Sequence, residues 1–488
     1  MAFLRPLIAA LLLSGVWGVA VSATPSLNIL LITADDLNYD TPGFAGGKMP
    51  GITPHLDQLA AQGIRFTKAH VAVAVCQPSR QCLMTGRYPH RNGSTGFYPI
   101  TAGVPTLIEV LKTAGYHSGI LGKVTHLQPR TKFPWDFQQD RDTLGEGRDP
   151  ALFHRYTTEF LRQAKAAGRP FILMANSHDP HRPWAGSPQE KAHAQQVAAG
   201  KPVGGDLGGA SFPAPARTYQ ASDAAVPGFL PVLPAVRQEM AEYYASVHRG
   251  DESVGEILRA LKESGLEEST LVLFLSDNGI SMPFAKSNCY LASTRTPLVI
   301  RWPGKTRPGR VESTSFVSSI DLMPTILDAI GVPPPPDMDG RSFLPLLLDA
   351  TKTARSAVFT CYNDTSAKKP FPMRCLQTKD YGYIFNAWSD GQRTYRSEGM
   401  NGQSFPAMRE ASTTDQEIAA RIQVLTRRTS EELYDIANDP DALHNLANDP
   451  QHHATLLQMR GEMLAWMKQT SDPLAPTYEA KVARAAQP

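Results

Sequence analysis

The apolar positions of this chain fall into short continuous runs separated by stretches with helical spacing. Asn28 to Thr33 is the first run, rich in β-branched residues, and it reads as a buried parallel strand. His117 to Leu121, Phe171 to Ala175, Leu271 to Leu275 and Leu298 to Trp302 predict further strands. Between them, Thr53 to Gly63 has helical spacing, with Leu56, Leu59 and Ala60 on one face and Gly63 as the C-cap. Thr106 to Ala114 and Phe160 to Ala167 predict short helices, and about Ala235 to Ser264 predicts a long amphipathic one.

Strands alternating with helices predict an α/β fold, a large mostly parallel sheet sandwiched by helices. Beyond about Arg355 the texture changes. Val358 to Tyr362, Arg374 to Thr378 and Tyr381 to Trp388 predict short antiparallel strands, and Thr455 to Gln469 a closing helix. The expected organisation is a signal peptide over residues 1–23, a catalytic domain over 24–354, and a smaller C-terminal α+β domain with an antiparallel sheet over 355–488. Lys201 to Pro234, rich in Gly, Pro and Ala, is expected as a long surface insertion at the pocket mouth.

Composition narrows this little. The 488 residues are 42% apolar and 19% charged, ordinary for a globular protein. The net charge of +2 is spread without a basic run, so nucleic acid is not an expected partner. At the N-terminus, Arg5, the apolar run Pro6 to Ala20 and the small residues Val21-Ser22-Ala23 form an export signal. The run is short for a membrane span, so a secreted or periplasmic protein with no span after cleavage is expected. Five cysteines is an odd number for an exported chain. Cys361 and Cys375 flank a Pro-rich turn and are either a disulfide or two reduced, packed thiols. Cys76 calls for its own explanation.

Polar clusters follow the predicted strands: Asp35-Asp36, Lys123 with His126, His178-Asp179, and Asp277-Asn278. In parallel α/β sheets ligands bind beyond the carboxyl ends of the strands. Asp35, Asp36, Asp277 and Asn278 offer only oxygen, with no cysteine or histidine pair at zinc spacing. That set suits a hard cation, calcium or magnesium. Adjacent aspartates at a strand end repel each other without one. Taken singly, the two pairs also fit a helix cap and a turn.

Cys76-Gln77-Pro78-Ser79-Arg80, followed by Thr85-Gly86-Arg87, carries the pattern C-x-P-S-R then T-G-R. On these residues the chain resembles the type I sulfatases of the alkaline-phosphatase-like superfamily. The resemblance implies that a formylglycine-generating maturation enzyme oxidises Cys76 to formylglycine. The hydrated aldehyde would supply the oxygen that attacks sulfur, and its second hydroxyl would let sulfate leave. A helix N-terminus at Cys76 favours negative charge, and Arg80 one turn along is expected to hold the diol. The resemblance favours calcium over magnesium, held by Asp35, Asp36, Asp277, Asn278 and the modified Cys76. It also implies that Lys123 binds a sulfate oxygen, His126 assists sulfate release, His178 protonates the leaving group, and Lys286 bridges sulfate and formylglycine. His181 and Arg182 are expected either to contact substrate around the site or to be structural.

The implied substrate is a sulfated saccharide. Within the family the chain is most similar to the N-sulfoglucosamine sulfohydrolases. The residues that carry this are His178-Asp179-Pro180-His181-Arg182, Ser276-Asp277-Asn278-Gly279-Ile280 with Pro283-Phe284 before the basic residue, Phe371-Pro372-Met373-Arg374, and Glu432-Leu433-Tyr434-Asp435 with Asn438-Asp439-Pro440. Two features depart from that group: a lysine, Lys286, stands where it has arginine, and the loop Lys123 to His126 is one residue longer. The implied activity is hydrolysis of the N-sulfate of glucosamine, as in heparan sulfate degradation. The alternatives are an O-sulfatase on a glycan or aryl ester, a phosphodiesterase or phosphonate monoester hydrolase, and a sugar-binding relative whose Cys76 stays a thiol.

Overall fold

The computed structural model describes residues 27–201, 203 and 207–485; the predicted signal peptide lies outside them. The strands in chain order are β1 (Asn28–Ala34), β2 (Ile64–Phe66), β3 (Ala69–His70), β4 (His117–Leu121), β5 (Phe137–Gln139), β6 (Phe171–Asn176), β7 (Thr270–Ser276), β8 (Leu298–Arg301), β9 (Arg310–Glu312) and β10 (Val317–Ser318). Eight of them form one sheet in the order β5-β4-β6-β1-β7-β8-β2-β9. β1 pairs in parallel with both β6 and β7, and β4 with β5 and β6. Only β8 runs against its neighbours β7 and β2. The α/β expectation holds.

β1 shows why a continuous apolar run marks such a strand. Ile29 and Leu31 join one apolar layer with Leu273 and Met174, while Leu30 and Ile32 join the other with Phe274 and Leu173. Period-two alternation buries both faces because helices cover both sides. Helix α1 (Pro54–Gln62) buries Leu56, Leu59 and Ala60 as expected. Helix α2 spans Cys76–Thr85 and is buried along its whole length.

Two helices differ in extent from the sequence reading, and three short strands were not expected. The helix read from Phe160 starts at Pro150, because Asp149 caps it through Ala151 N and Leu152 N. Its first turns bury only Phe153 and Thr157, too sparse a stripe to see in the sequence. The long helix runs Pro234–Glu263. The short strands β2, β5 and β9 have no apolar run to announce them.

A second sheet, β11 (Val358–Asp364), β12 (Pro370–Gln377), β13 (Tyr381–Asn386) and β14 (Glu431–Asp435), is antiparallel in that order. Its apolar residues, including Tyr362, Met373 and Leu433, belong to the same continuous core as Leu30 and Phe274. The main-chain bond from Cys361 N to Ala72 O, 2.8 Å, joins this sheet to the segment before α2. All five cysteines are buried free thiols. The Cys361–Cys375 disulfide alternative is not formed: Cys361 stands opposite Arg374 and Cys375 opposite Thr360, so the two side chains leave opposite faces of the ladder. No helix among the described residues is long and apolar enough to cross a membrane.

Candidate active site

The polar clusters meet at the carboxyl edge of β4, β6, β1 and β7. Asp35 and Asp36 follow β1 directly, Asp277 and Asn278 follow β7, and Lys123 and His178 follow β4 and β6. Cys76 enters from the side as the first residue of α2, after the extended Val75. Helix dipole and free N–H groups therefore point at the same spot as the carboxylates. The turns are tight: Asp36 and Lys123 both have left-handed backbone, with φ of 68° and 56°.

α2 is locked to the strand ends by polar bonds. Ser79 Oγ donates to Asp277 O at 2.7 Å. Arg80, one turn beyond Cys76 and 1% exposed, donates to Thr33 Oγ1 and Asn176 Oδ1, each at 2.6 Å, and pairs with Asp277 Oδ2 at 2.7 Å. Asn176 in turn donates to Leu121 O and Gly122 O, both at 3.0 Å. One guanidinium and one amide thus fix β1, β4, β6 and β7 to the nucleophile helix.

The carboxylates are crowded. One oxygen each from Asp35, Asp36 and Asp277 lie within 4.8 Å of one another, and ligand atoms of Asp35, Cys76 and His181 form a second such group. Lys123 pairs with Asp35. Lys286 Nζ sits 2.8 and 2.9 Å from the two oxygens of Asp36. Asn278 Nδ2 donates to Asp36 Oδ1 at 2.6 Å. Asn278 Oδ1 and Asp35 Oδ1 are buried without a hydrogen-bond partner, and Asp35 Oδ2 meets only the Lys123 ammonium. Buried orphan oxygens on acids and amides mark the place of an absent donor or cation. The donor set is all oxygen apart from Cys76 and His181, which fits calcium or magnesium.

Electrostatics agree with that geometry. Burial raises the pKa of Asp277, and Asp35 and Asp36 add to it against Arg80, bringing it up to about 7. Burial works the same way on Asp35, but Lys123, His181, Arg80 and Lys286 together hold it well below the usual range. The Cys76 thiol is pushed well up by burial, and by Asp35, Asp277 and Asp36 despite Lys286. Burial pushes His178, His126 and His181 down, with Lys123 adding to the effect on His178 and His126, and Lys286 on His181.

Asp35, Asp36, Cys76, Arg80, Lys123, His126, His178, Asp277, Asn278 and Lys286 stand in or beside this cluster. His178 is buried with Nε2 unpartnered, and its main-chain N–H donates to Gly147 O at 2.9 Å. His126 is half-buried with Nδ1 free. His181 Nδ1 bonds Arg182 O at 2.6 Å, which leaves Nε2 facing Asp36 at 4.0 Å. Arg182 turns away: it pairs with Glu239 at 2.6 Å and stacks on Trp184 at 3.6 Å. Asp179 is a strut rather than a ligand, clasped by Arg148 at 3.1 Å and Arg249 at 2.6 Å.

Arg148, Arg249, Asn176 and Glu398 are the residues that sequence reading passed over. Asn176 alone had a signal, a polar residue closing an apolar run. The Gly-Pro-rich insertion packs here too. Its Gly208 N donates to buried Glu146 at 2.7 Å, and Phe212 lies 4.4 Å from the Arg148 guanidinium.

Fold and site together define an α/β protein whose large, mostly parallel sheet ends in acidic side chains beside a buried cysteine at a helix start. Comparison with known proteins takes this further. The Sulfatase family matches residues 27–332, and the family "N-sulphoglucosamine sulphohydrolase, C-terminal" matches residues 281–393. The chain belongs to the Sulfatase family, and it is a sulfatase hydrolase. It is 31% identical to the N-sulphoglucosamine sulphohydrolase of Homo sapiens over 466 residues, 91% of each chain. It is 29% identical to an ulvan-active sulfatase of Formosa agariphila, covering 93% of this chain and 82% of that one. A solved structure in complex with D-glucosamine-2-N,6-O-disulfate shares the fold, with TM-score 0.68, 19% identity, and 92% and 99% of the two chains covered.

Proposed function

We propose that the protein hydrolyses the N-sulfate of glucosamine in sulfated saccharides, with Cys76 acting as formylglycine beside a calcium ion. The observation that carries the chemistry is the setting of Cys76. A thiol there is buried among three carboxylates and held in its protonated form, the wrong state for a nucleophile. The same position at a helix N-terminus suits an uncharged group that gains negative charge. The N-sulfate reading rests on 31% identity over nine-tenths of both chains with the human sulphohydrolase.

Asp35, Asp36, Asp277 and Asn278 would hold the cation, with the free oxygens of Asp35 and Asn278 beside the paired carboxylates of Asp36 and Asp277. Calcium and hydrated formylglycine would supply charge neutralisation and an attacking oxygen with a second hydroxyl for sulfate release. Lys123 and Lys286 would hold sulfate oxygens, on which charge gathers in the transition state. Arg80 keeps α2 and Asp277 in register through its three bonds. His178 would donate a proton to the departing nitrogen, and the charge of a bound sulfate raises its pKa toward that task. His126 would take a proton during sulfate release. Export through the N-terminal signal, and maturation by a formylglycine-generating enzyme, belong to the same proposal.

The test is release of sulfate and free amine from N-sulfoglucosamine by protein co-expressed with a maturation enzyme. Glucosamine 6-sulfate, an aryl sulfate and a phosphonate monoester run alongside. Turnover of N-sulfoglucosamine alone is expected. Turnover only of an O-sulfate sinks the N-sulfate reading, and preference for the phosphonate sinks the sulfated-sugar assignment.

A further inference from the structure

One half-buried acid reaches this cluster from the far C-terminal part of the chain. We propose that Glu398 determines specificity by accepting a hydrogen bond from a sugar hydroxyl or amine next to the sulfated position. This rests on the sulfated-sugar reading above. Glu398 Oε2 lies 3.4 Å from Lys286 Nζ, while Oε1 is buried with no hydrogen-bond partner. Its side chain is 20% exposed, so one edge still faces open space.

The position is held firmly. A Cβ on the next residue, Gly399, would stand 2.5 Å from Met282 O, so the turn Glu398–Met400 is pressed onto the loop that carries Lys286. Tyr395 OH donates to Ser287 O and pins the same two segments together. Burial works against ionisation of Glu398, but Lys286, the Ser366 hydroxyl and His181 outweigh it, so the group carries a charge. A buried carboxylate oxygen with no hydrogen-bond partner from the protein gains when a ligand brings a donor.

Two protons of Lys286 go to the two oxygens of Asp36 and the third faces Oε2, which leaves none for Oε1. A donor on the substrate would complete the pairing of Oε1. A sugar whose sulfate sits against Lys286 carries the substituents of the neighbouring ring carbons toward Glu398. A simple aryl sulfate, or sulfate itself, carries none.

The experiment compares matured, calcium-loaded wild type with Glu398→Gln and Glu398→Ala. It reads kcat and KM for N-sulfoglucosamine and the inhibition constant of inorganic sulfate. Loss of a bond to a charged acceptor predicts a roughly ten- to hundredfold fall in kcat/KM for the sugar. Sulfate inhibition is expected to hold or tighten, because a negative charge beside its pocket has been removed. If sulfate inhibition weakens in step with the loss on the sugar, Glu398 acts only by placing Lys286, and the proposal is overturned. Unchanged sugar kinetics in folded variants overturns it too. If wild type cleaves a different sugar sulfate, the N-sulfate reading falls by itself and the comparison runs on that sugar. A wild type inert toward every sugar sulfate overturns both.

Discussion

Metal binding at the strand ends should compete directly with a proton. Asp35, Asp36 and Asp277 bring carboxylate oxygens within 4.8 Å of one another, and the pKa of Asp277 is raised by burial and by its two neighbours to about 7. In chelator-treated protein one proton is thus shared by the cluster near neutral pH. A divalent cation must displace it. Below about pH 7 the apparent affinity for calcium should fall about tenfold per pH unit.

Calorimetric titration of calcium into chelator-stripped protein at several pH values, in buffers of differing ionisation enthalpy, measures both terms. Close to one proton released per ion is expected near pH 6, falling toward none near pH 8. The sign for stability is the reverse of an ordinary carboxylate. The folded pKa lies above the unfolded value of 3.8, so the metal-free contribution is full at low pH and lost as pH rises through about 7. Calcium should abolish that loss. An affinity flat from about pH 5 to pH 8, with no proton release, would refute the shared-proton picture.

Other outcomes follow from single residues. Cys76→Ser should fold, melt like wild type and show no turnover, and the intact mass of active protein should carry an aldehyde at position 76 where the inactive fraction keeps a thiol. Gly147→Ala places a Cβ 2.4 Å from the His178 ring, at a φ of +72°, so kcat should fall about 10²-fold or more as the proton donor is displaced. The loss should be larger for an amine leaving group than for an activated phenol; equal losses would argue against His178 as the acid. Asp179→Asn leaves Arg148 and Arg249 facing a neutral amide in a fully buried place, a cost of about 3–5 kcal/mol. It should lower the thermal midpoint by several degrees, and an unchanged midpoint would show that the clasp contributes little.

The chemistry of this protein is written in contiguous residues. The apolar runs at Asn28–Thr33 and Leu271–Leu275 announce buried strands because both faces of such a strand must be apolar. The acids that follow them announce a site because strand ends are where a parallel sheet opens. Cys76 to Arg80 carries its meaning in spacing alone, since one helical turn sets Arg80 beside the nucleophile. What sequence could not supply is long-range pairing. Arg148 and Arg249 reach Asp179 across 31 and 70 residues, and only packing shows that Asp179 is clasped by them. The free state of Cys361 and Cys375 follows from ladder register, which a one-residue shift would reverse. Glu398 lies 112 residues beyond Lys286, in a segment without periodicity. Its carboxylate enters the site because the second sheet shares one apolar core with the first, and that juxtaposition is a property of the tertiary fold alone.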